Sequence, residues 1–172
     1  MFDLLLAAEG PRDPKRTPLP REDRRARGAA AARCVLIIDD SEEDYTLLRA
    51  AFAVNGFDNL RWARDAAQAR DYFMGRPPFS DRAANPVPDV VLLDIQLTTA
   101  DGFSVLTWLR EQAPAVRRVP VVMLTTSTDP SERARAYDMG ANSFLSKPTG
   151  FDELSATVGD LIGYWLKRNR PA

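Results

Sequence analysis

Asp39, Asp40, Asp94, Thr125 and Lys147 are the residues of this chain whose types and places could do chemistry together. Each closes a short, mostly apolar run: Cys34-Val35-Leu36-Ile37-Ile38 leads into Asp39-Asp40, Val90-Val91-Leu92-Leu93 into Asp94, Val119 to Leu124 into Thr125, and Ser143-Phe144-Leu145-Ser146 into Lys147. Three carboxylates gathered in one pocket repel and raise one another's pKa, so an oxygen-seeking dication is the natural way to keep all of them ionised. Magnesium suits such a pocket, because it takes one or two carboxylates and completes an octahedron with water and phosphate oxygens. A carboxylate beside that ion can attack phosphorus and become an acyl phosphate. Lys147 would neutralise the phosphoryl oxygens and Thr125 would donate its hydroxyl to another, leaving positioning and charge stabilisation as most of the catalysis.

These residues meet only if the runs that carry them are strands of one sheet. Aliphatic runs without polar alternation suit strands covered on both faces, the condition of a parallel sheet flanked by helices. Between them, Leu47, Leu48, Ala51 and Phe52 recur at helical spacing after Ser41 and stop at Gly56. Leu60 to Ala63 is a further strand, and Asp65 caps a helix running to Phe73. Residues 75–88 hold Pro77, Pro78, Pro86 and Pro88, which predicts a surface excursion. Asp101-Gly102 opens a helix that Pro114 stops, Asp129-Pro130 opens another that Gly140 ends, and a last helix runs from Phe151 to Arg168. At 100° per residue Phe151, Leu154, Val158, Leu161, Ile162 and Trp165 share a stripe that packs on the sheet, with Tyr164 and Leu166 on its flanks. Five strands alternating with five helices predict a doubly wound α/β sandwich whose right-handed crossovers bring every strand's carboxyl end to one edge. Ligands bind at that edge in open α/β sheets.

Composition narrows the chemistry. The 172 residues contain no histidine, which excludes imidazole bases, zinc sites of the usual kind and a serine-histidine triad, and makes the chain incapable of donating phosphohistidine. A single cysteine, Cys34, heads an apolar run and reads as a small buried strand residue, in keeping with a cytoplasmic location. The first residues lack the basic flank and apolar length of a signal peptide, and no run approaches membrane-spanning length. Residues 1–32 mix prolines, alanines and alternating charge with an excess of arginine; they read as a flexible basic arm, 33–169 as the folded domain and 170–172 as a tail.

Taken together in this order, Asp39-Asp40, Asp94, Thr125, Phe144 and Lys147-Pro148 resemble the response regulator receiver domain of two-component signalling. The resemblance implies a flavodoxin-like (βα)5 fold with a five-stranded parallel sheet in the order 2-1-3-4-5. It implies that Asp94 is the phosphoacceptor, Thr125 and Phe144 the switch pair, and Lys147 the lysine that stabilises the phosphoryl group, followed by a usually cis proline. Magnesium would be held by Asp40, Asp94 and the backbone carbonyl of Gln96, with Asp39 acting through water. The long loop before Val90, Leu124-Thr125-Thr126-Ser127, Tyr137-Asp138 and the terminal Tyr164-Trp165-Leu166 further resemble single-domain regulators paired with bacterial and cyanobacterial phytochrome kinases. That implies a sensor histidine kinase, of the phytochrome photoreceptor type, as partner. Departures are Thr98, where most receivers carry proline, and Thr126, where Ala or Gly is usual. Gln96 and Ser127 lie near the path expected for attacking water.

With no output domain expected after Arg168, the signal would leave through a partner or a homodimer formed at the last helix, where Tyr164, Trp165 and Leu166 are interface candidates. The domain would catalyse only its own phosphorylation and dephosphorylation. The rival of another class is an aspartyl-phosphate-type phosphatase acting on an external substrate. That chemistry places a second acid two residues after the nucleophile, where this chain has Gln96. A nucleic-acid binder using the basic arm is the other rival, weakened because the arm lacks interleaved aromatics.

Overall fold

The computed structural model describes residues 33–98, 100–127 and 129–169; the arm over 1–32 and the tail over 170–172 lie outside the described residues. In chain order the elements are β1 (Val35–Ile38), α1 (Glu42–Val54), β2 (Leu60–Ala63), α2 (Ala66–Met74), β3 (Val90–Leu93), β4 (Gln96–Leu97), β5 (Ala100–Asp101), α3 (Gly102–Glu111), α4 (Pro114–Arg117), β6 (Val121–Thr125), α5 (Pro130–Asp138), β7 (Ser143–Ser146) and α6 (Phe151–Leu161). A π-helical segment over Ile162–Arg168 continues α6. The main sheet has five parallel strands in the order β2-β1-β3-β6-β7, which is the expected doubly wound topology.

Strand side chains alternate between two cores, as the period of two requires. Leu36, Ile38, Val91, Leu93, Val121 and Met123 pack with Tyr72 and Phe73 of α2, Phe103, Leu106 and Leu109 of α3, and Ala136 of α5. Val35, Ile37, Val90, Leu92, Val122 and Leu124 face the other way, against Leu48 and Phe52 of α1 and Leu154, Val158 and Leu161 of α6. Both faces of the central strands are therefore covered, which is why their sequences read as unbroken apolar runs. Cys34 is buried beside the Tyr72 hydroxyl, and burial pushes its thiol pKa up.

Three details depart from the sequence reading. Phe151, placed on the packed stripe, is 41% exposed, because it opens α6. Leu166, placed on a flank, is buried at 7% exposure in the core shared with α1. The 100° rotation holds for an α-helix, whereas π winding turns less per residue and so shifts Leu166 toward the packed face. The Lys147–Pro148 peptide is trans; among the described residues the cis peptide is Pro77–Pro78.

Candidate functional site

Each functional side chain sits where a strand runs out. The hydrogen-bond ladder continues one residue past the strand ends: Asp39 N–H donates to Ala63 O (3.1 Å), Asp94 N–H to Ile38 O (3.0 Å) and Lys147 N–H to Thr125 O (2.7 Å). These bonds fix Asp39 and Asp94 side by side at the carboxyl edge and Lys147 further on, beyond β6 at the end of β7, from where its long side chain reaches back. The turn after β1 is pinned further. Trp62 of β2 donates its indole N–H to the Asp39 carbonyl (2.7 Å), and Ser41 N–H donates to Asp39 Oδ1 (2.9 Å). Trp62 itself lies between the ring of Tyr45, stacked at 4.1 Å, and the guanidinium of Arg64 at 4.2 Å.

The Lys147 ammonium stands at the centre of the site. It donates to Asp39 Oδ2 (2.7 Å), Asp44 Oδ2 (2.6 Å) and Asp94 Oδ2 (2.8 Å), so each of its three N–H bonds meets a different carboxylate. Burial works against the charged amine, yet its bonds to Asp39, Asp44 and Asp94 prevail and hold its pKa above the usual lysine range. For Asp39, 2% exposed, burial dominates and raises the carboxyl's pKa in spite of Lys147. Oxygens of Asp39, Asp44 and Asp94 lie within 4.8 Å of one another, a hard-oxygen set of the kind that suits a small dication. Three carboxylates against one ammonium leave an excess of negative charge, which favours such an ion further.

Sequence reasoning singled out Asp39, Asp94 and Lys147, which do come together, but missed Asp44. Asp44 comes from the first turn of α1 and not from a strand end. Its signal was the Ser41-Glu42-Glu43-Asp44 spacing of a helix N-cap, in which Asp44 N–H donates to Ser41 Oγ (3.1 Å); Ser41 N–H is taken by Asp39, which leaves the Asp44 carboxylate to Lys147. Asp40 is not in the acid cluster: its Oδ2 accepts from the backbone N–H of Thr98 (2.7 Å) and from the Thr98 hydroxyl. The Thr98 hydroxyl is the main reason that the Asp40 carboxyl titrates below its usual range. Gln96 N–H lies 3.3 Å from Asp94 Oδ1, and its residue pairs with Asp101 in the β4–β5 hairpin.

Thr125 ends β6, the strand between those that carry Asp94 and Lys147. Thr125 is fully buried, and its Oγ1 accepts from Ser127 N–H (3.1 Å), so the hydroxyl oxygen is engaged by its own loop. Phe144, half-buried in β7, packs against the core on the α5 side. On the last helix Tyr164 is 55% exposed and meets Trp165 edge-on with ring centroids 4.8 Å apart, while Leu166 is buried and offers no surface.

Asp39→Asn tests the electrostatics. A carboxyl whose folded pKa is raised contributes stability below its ordinary range and loses it as pH rises through the folded value, so at pH 7 burying Asp39 is a cost. Asparagine removes the charge and leaves Lys147 with two partners. The variant should melt about 3–5 °C higher in chelator at pH 7, roughly the effect of 1 kcal/mol, and the gain should shrink on acidification. Thermal scans at both pH values read it; a lower melting point at pH 7 would contradict the assignment.

Residues 35–159 match the response regulator receiver domain family. The probable methanogenesis regulatory protein FilR2 of Methanothrix harundinacea is 36% identical over 137 residues, which cover 79% of this chain and 85% of that protein. The crystal structure of response regulator RPA3017 in red light signaling of R. palustris aligns with a TM-score of 0.76 at 31% identity, covering 81% of this chain and 98% of that one. The phosphorylated cyanobacterial phytochrome response regulator RcpA aligns with a TM-score of 0.74 at 25% identity, over 82% and 99% of the two chains.

Proposed function

This chain belongs to the response regulator receiver domain family, and we propose that it is a phosphorylation switch in which Asp94 takes a phosphoryl group from the phosphohistidine of a sensor histidine kinase. A carboxylate oxygen of Asp94 forms the new bond to phosphorus as the phosphorus–nitrogen bond breaks and the imidazole leaves with that electron pair. The observation that carries this reading is the Lys147 ammonium held against Asp39, Asp44 and Asp94 at one sheet edge.

Asp94, Asp40 and the Gln96 carbonyl would hold magnesium, with Asp39 reached through water. When bound, the ion supplies charge neutralisation for the phosphoryl oxygens. Lys147, losing Asp94 as a partner once that oxygen is esterified, turns its N–H to the phosphoryl group. Thr125 gives up its local bond to donate to another phosphoryl oxygen, and Phe144 repacks behind it. Residues 33–169 form this receiver, and the protein works in the cytoplasm and on no substrate but its own aspartate. The signal leaves through protein contacts, including a homodimer that uses exposed Tyr164 and half-buried Trp165. The two solved structures concerned with red light or phytochrome favour a phytochrome-type kinase as donor.

The test is incubation of the full chain with magnesium and phosphoramidate, read by intact mass and by sedimentation of the same sample. Wild type should gain one phosphoryl group and Asp94→Asn none. Equal labelling of the two proteins sinks the assignment, and an unchanged sedimenting mass at all concentrations sinks the dimer.

A further inference from the structure

Asp40 and Thr98 are bonded to each other. One belongs to the turn after β1 and the other to the hairpin that follows β3, the two segments that carry Asp39 and Asp94. Both donors of Thr98, backbone N–H and hydroxyl, converge on a single oxygen of Asp40, Oδ2. Oxygens of Asp39, Asp44 and Asp94 form a mutual cluster from which Asp40 is missing, although it neighbours Asp39 in sequence. A carboxylate that accepts two bonds through one oxygen has its orientation fixed and part of its charge answered, so moving it to another cation costs those bonds.

We propose that Thr98 is a positioning residue that latches Asp40 outside the acid cluster, so that a dication must break this latch to recruit Asp40 as a ligand. The inference rests on the reading of Asp40 as a metal ligand. Its consequence is a weaker site than the same carboxylates would make if free, occupied only when the ion concentration is high enough to open the latch. Proline at position 98 has neither donor and could not form it. The departure at Thr98 noted in the sequence is then a device that sets metal affinity.

The experiment is a calorimetric titration of the full chain with Mn2+, comparing wild type, Thr98→Val, Asp40→Asn and the double variant. Valine keeps the branched shape and loses only the hydroxyl, at an exposed position where folding is not at stake. Thr98→Val should bind Mn2+ roughly threefold to tenfold more tightly, the net worth of one hydrogen bond read as an affinity ratio. In the Asp40→Asn background the same change should do nothing. A diamagnetic readout accompanies it: with Mg2+ the Thr98 amide proton resonance of wild type should move upfield as its carboxylate partner leaves. Weaker or unchanged Mn2+ binding by Thr98→Val, with Asp40→Asn still weakening it, overturns the latch and leaves the ligand reading standing. Unchanged binding by Asp40→Asn overturns both.

Discussion

Lys147→Met should destabilise the metal-free protein by about 3 kcal/mol, as removal of one partner from a buried ion pair does. Methionine keeps most of the stem, so the loss is that of the ammonium and not of packing. What remains is Asp39, Asp44 and Asp94 with their oxygens within 4.8 Å of one another and no cation among them. Asp44 is a third exposed, so water screens part of its repulsion, and the larger share of the loss falls on Asp39 and Asp94. The pH dependence has a definite sign. A lysine whose folded pKa is raised contributes its full stability below the unfolded value and loses it only as pH climbs through the folded one, so wild type carries the whole contribution at neutral pH. In the variant the acids stand alone, so acidification from pH 7 toward pH 5 should recover stability, and millimolar magnesium should recover more by binding the folded form. Urea unfolding with chelator, with magnesium and at the two pH values measures all of this. A variant as stable as wild type in chelator would show that Lys147 does not neutralise the cluster.

Gly102→Ala should be the most damaging change that leaves every charged residue in place. A Cβ at Gly102 would fall well inside the van der Waals radius of the Asp94 carbonyl oxygen, 2.9 Å from Ile95 Cα and 3.0 Å from the Asp94 carbonyl carbon. The neighbours are backbone, so no side chain can swing away, and the end of β3 itself must move. Gly102 N–H also donates to Ile95 O at 2.8 Å, and that bond holds α3 against the segment that any shift would displace. The cost should be about 2–3 kcal/mol, the usual range for overpacking. The functional loss should exceed the stability loss: a displacement of about 1 Å of an attacking atom is worth roughly a hundredfold in rate. Gly163→Ala is the control, since a Cβ there meets nothing within 4 Å; it should label like wild type and melt at or slightly above it, as alanine for glycine within a helix does. Phosphoryl uptake by folded Gly102→Ala at a wild-type rate would show that the close approach does not position Asp94.

The sequence made the sheet and its polar edge legible because strands buried on both faces are apolar at every position and break sharply at a polar residue. Asp39, Asp94, Thr125 and Lys147 are those breaks. Asp44 escaped because a helix's first turn reaches the same edge by a different route, and acids there are ordinary for a helix N-terminus. The β4–β5 hairpin escaped because strands of two residues have no period to read. Pro114 reads in the sequence as the stop of α3, yet proline equally begins a helix, and it opens the single turn α4. The bonds from Thr98 to Asp40 join residues 58 apart through an exposed polar pair, for which no local pattern exists. Leu166 was misplaced by a rotation angle that assumed α-helical winding where the chain winds as π.

The Trp62 contact carries a consequence for how the site can be watched. Its indole donates to the Asp39 carbonyl and lies between Tyr45 and the Arg64 guanidinium, whereas Trp108 packs beside Phe73 and Trp165 beside Tyr164. Indole emission responds to the strength of its N–H bond and to nearby charge. The chain thus contains an intrinsic fluorophore whose excited state is wired to the backbone of the acidic turn. Trp62 emission should therefore change when an ion or a phosphoryl group reaches that turn, a signal that needs no label on the protein.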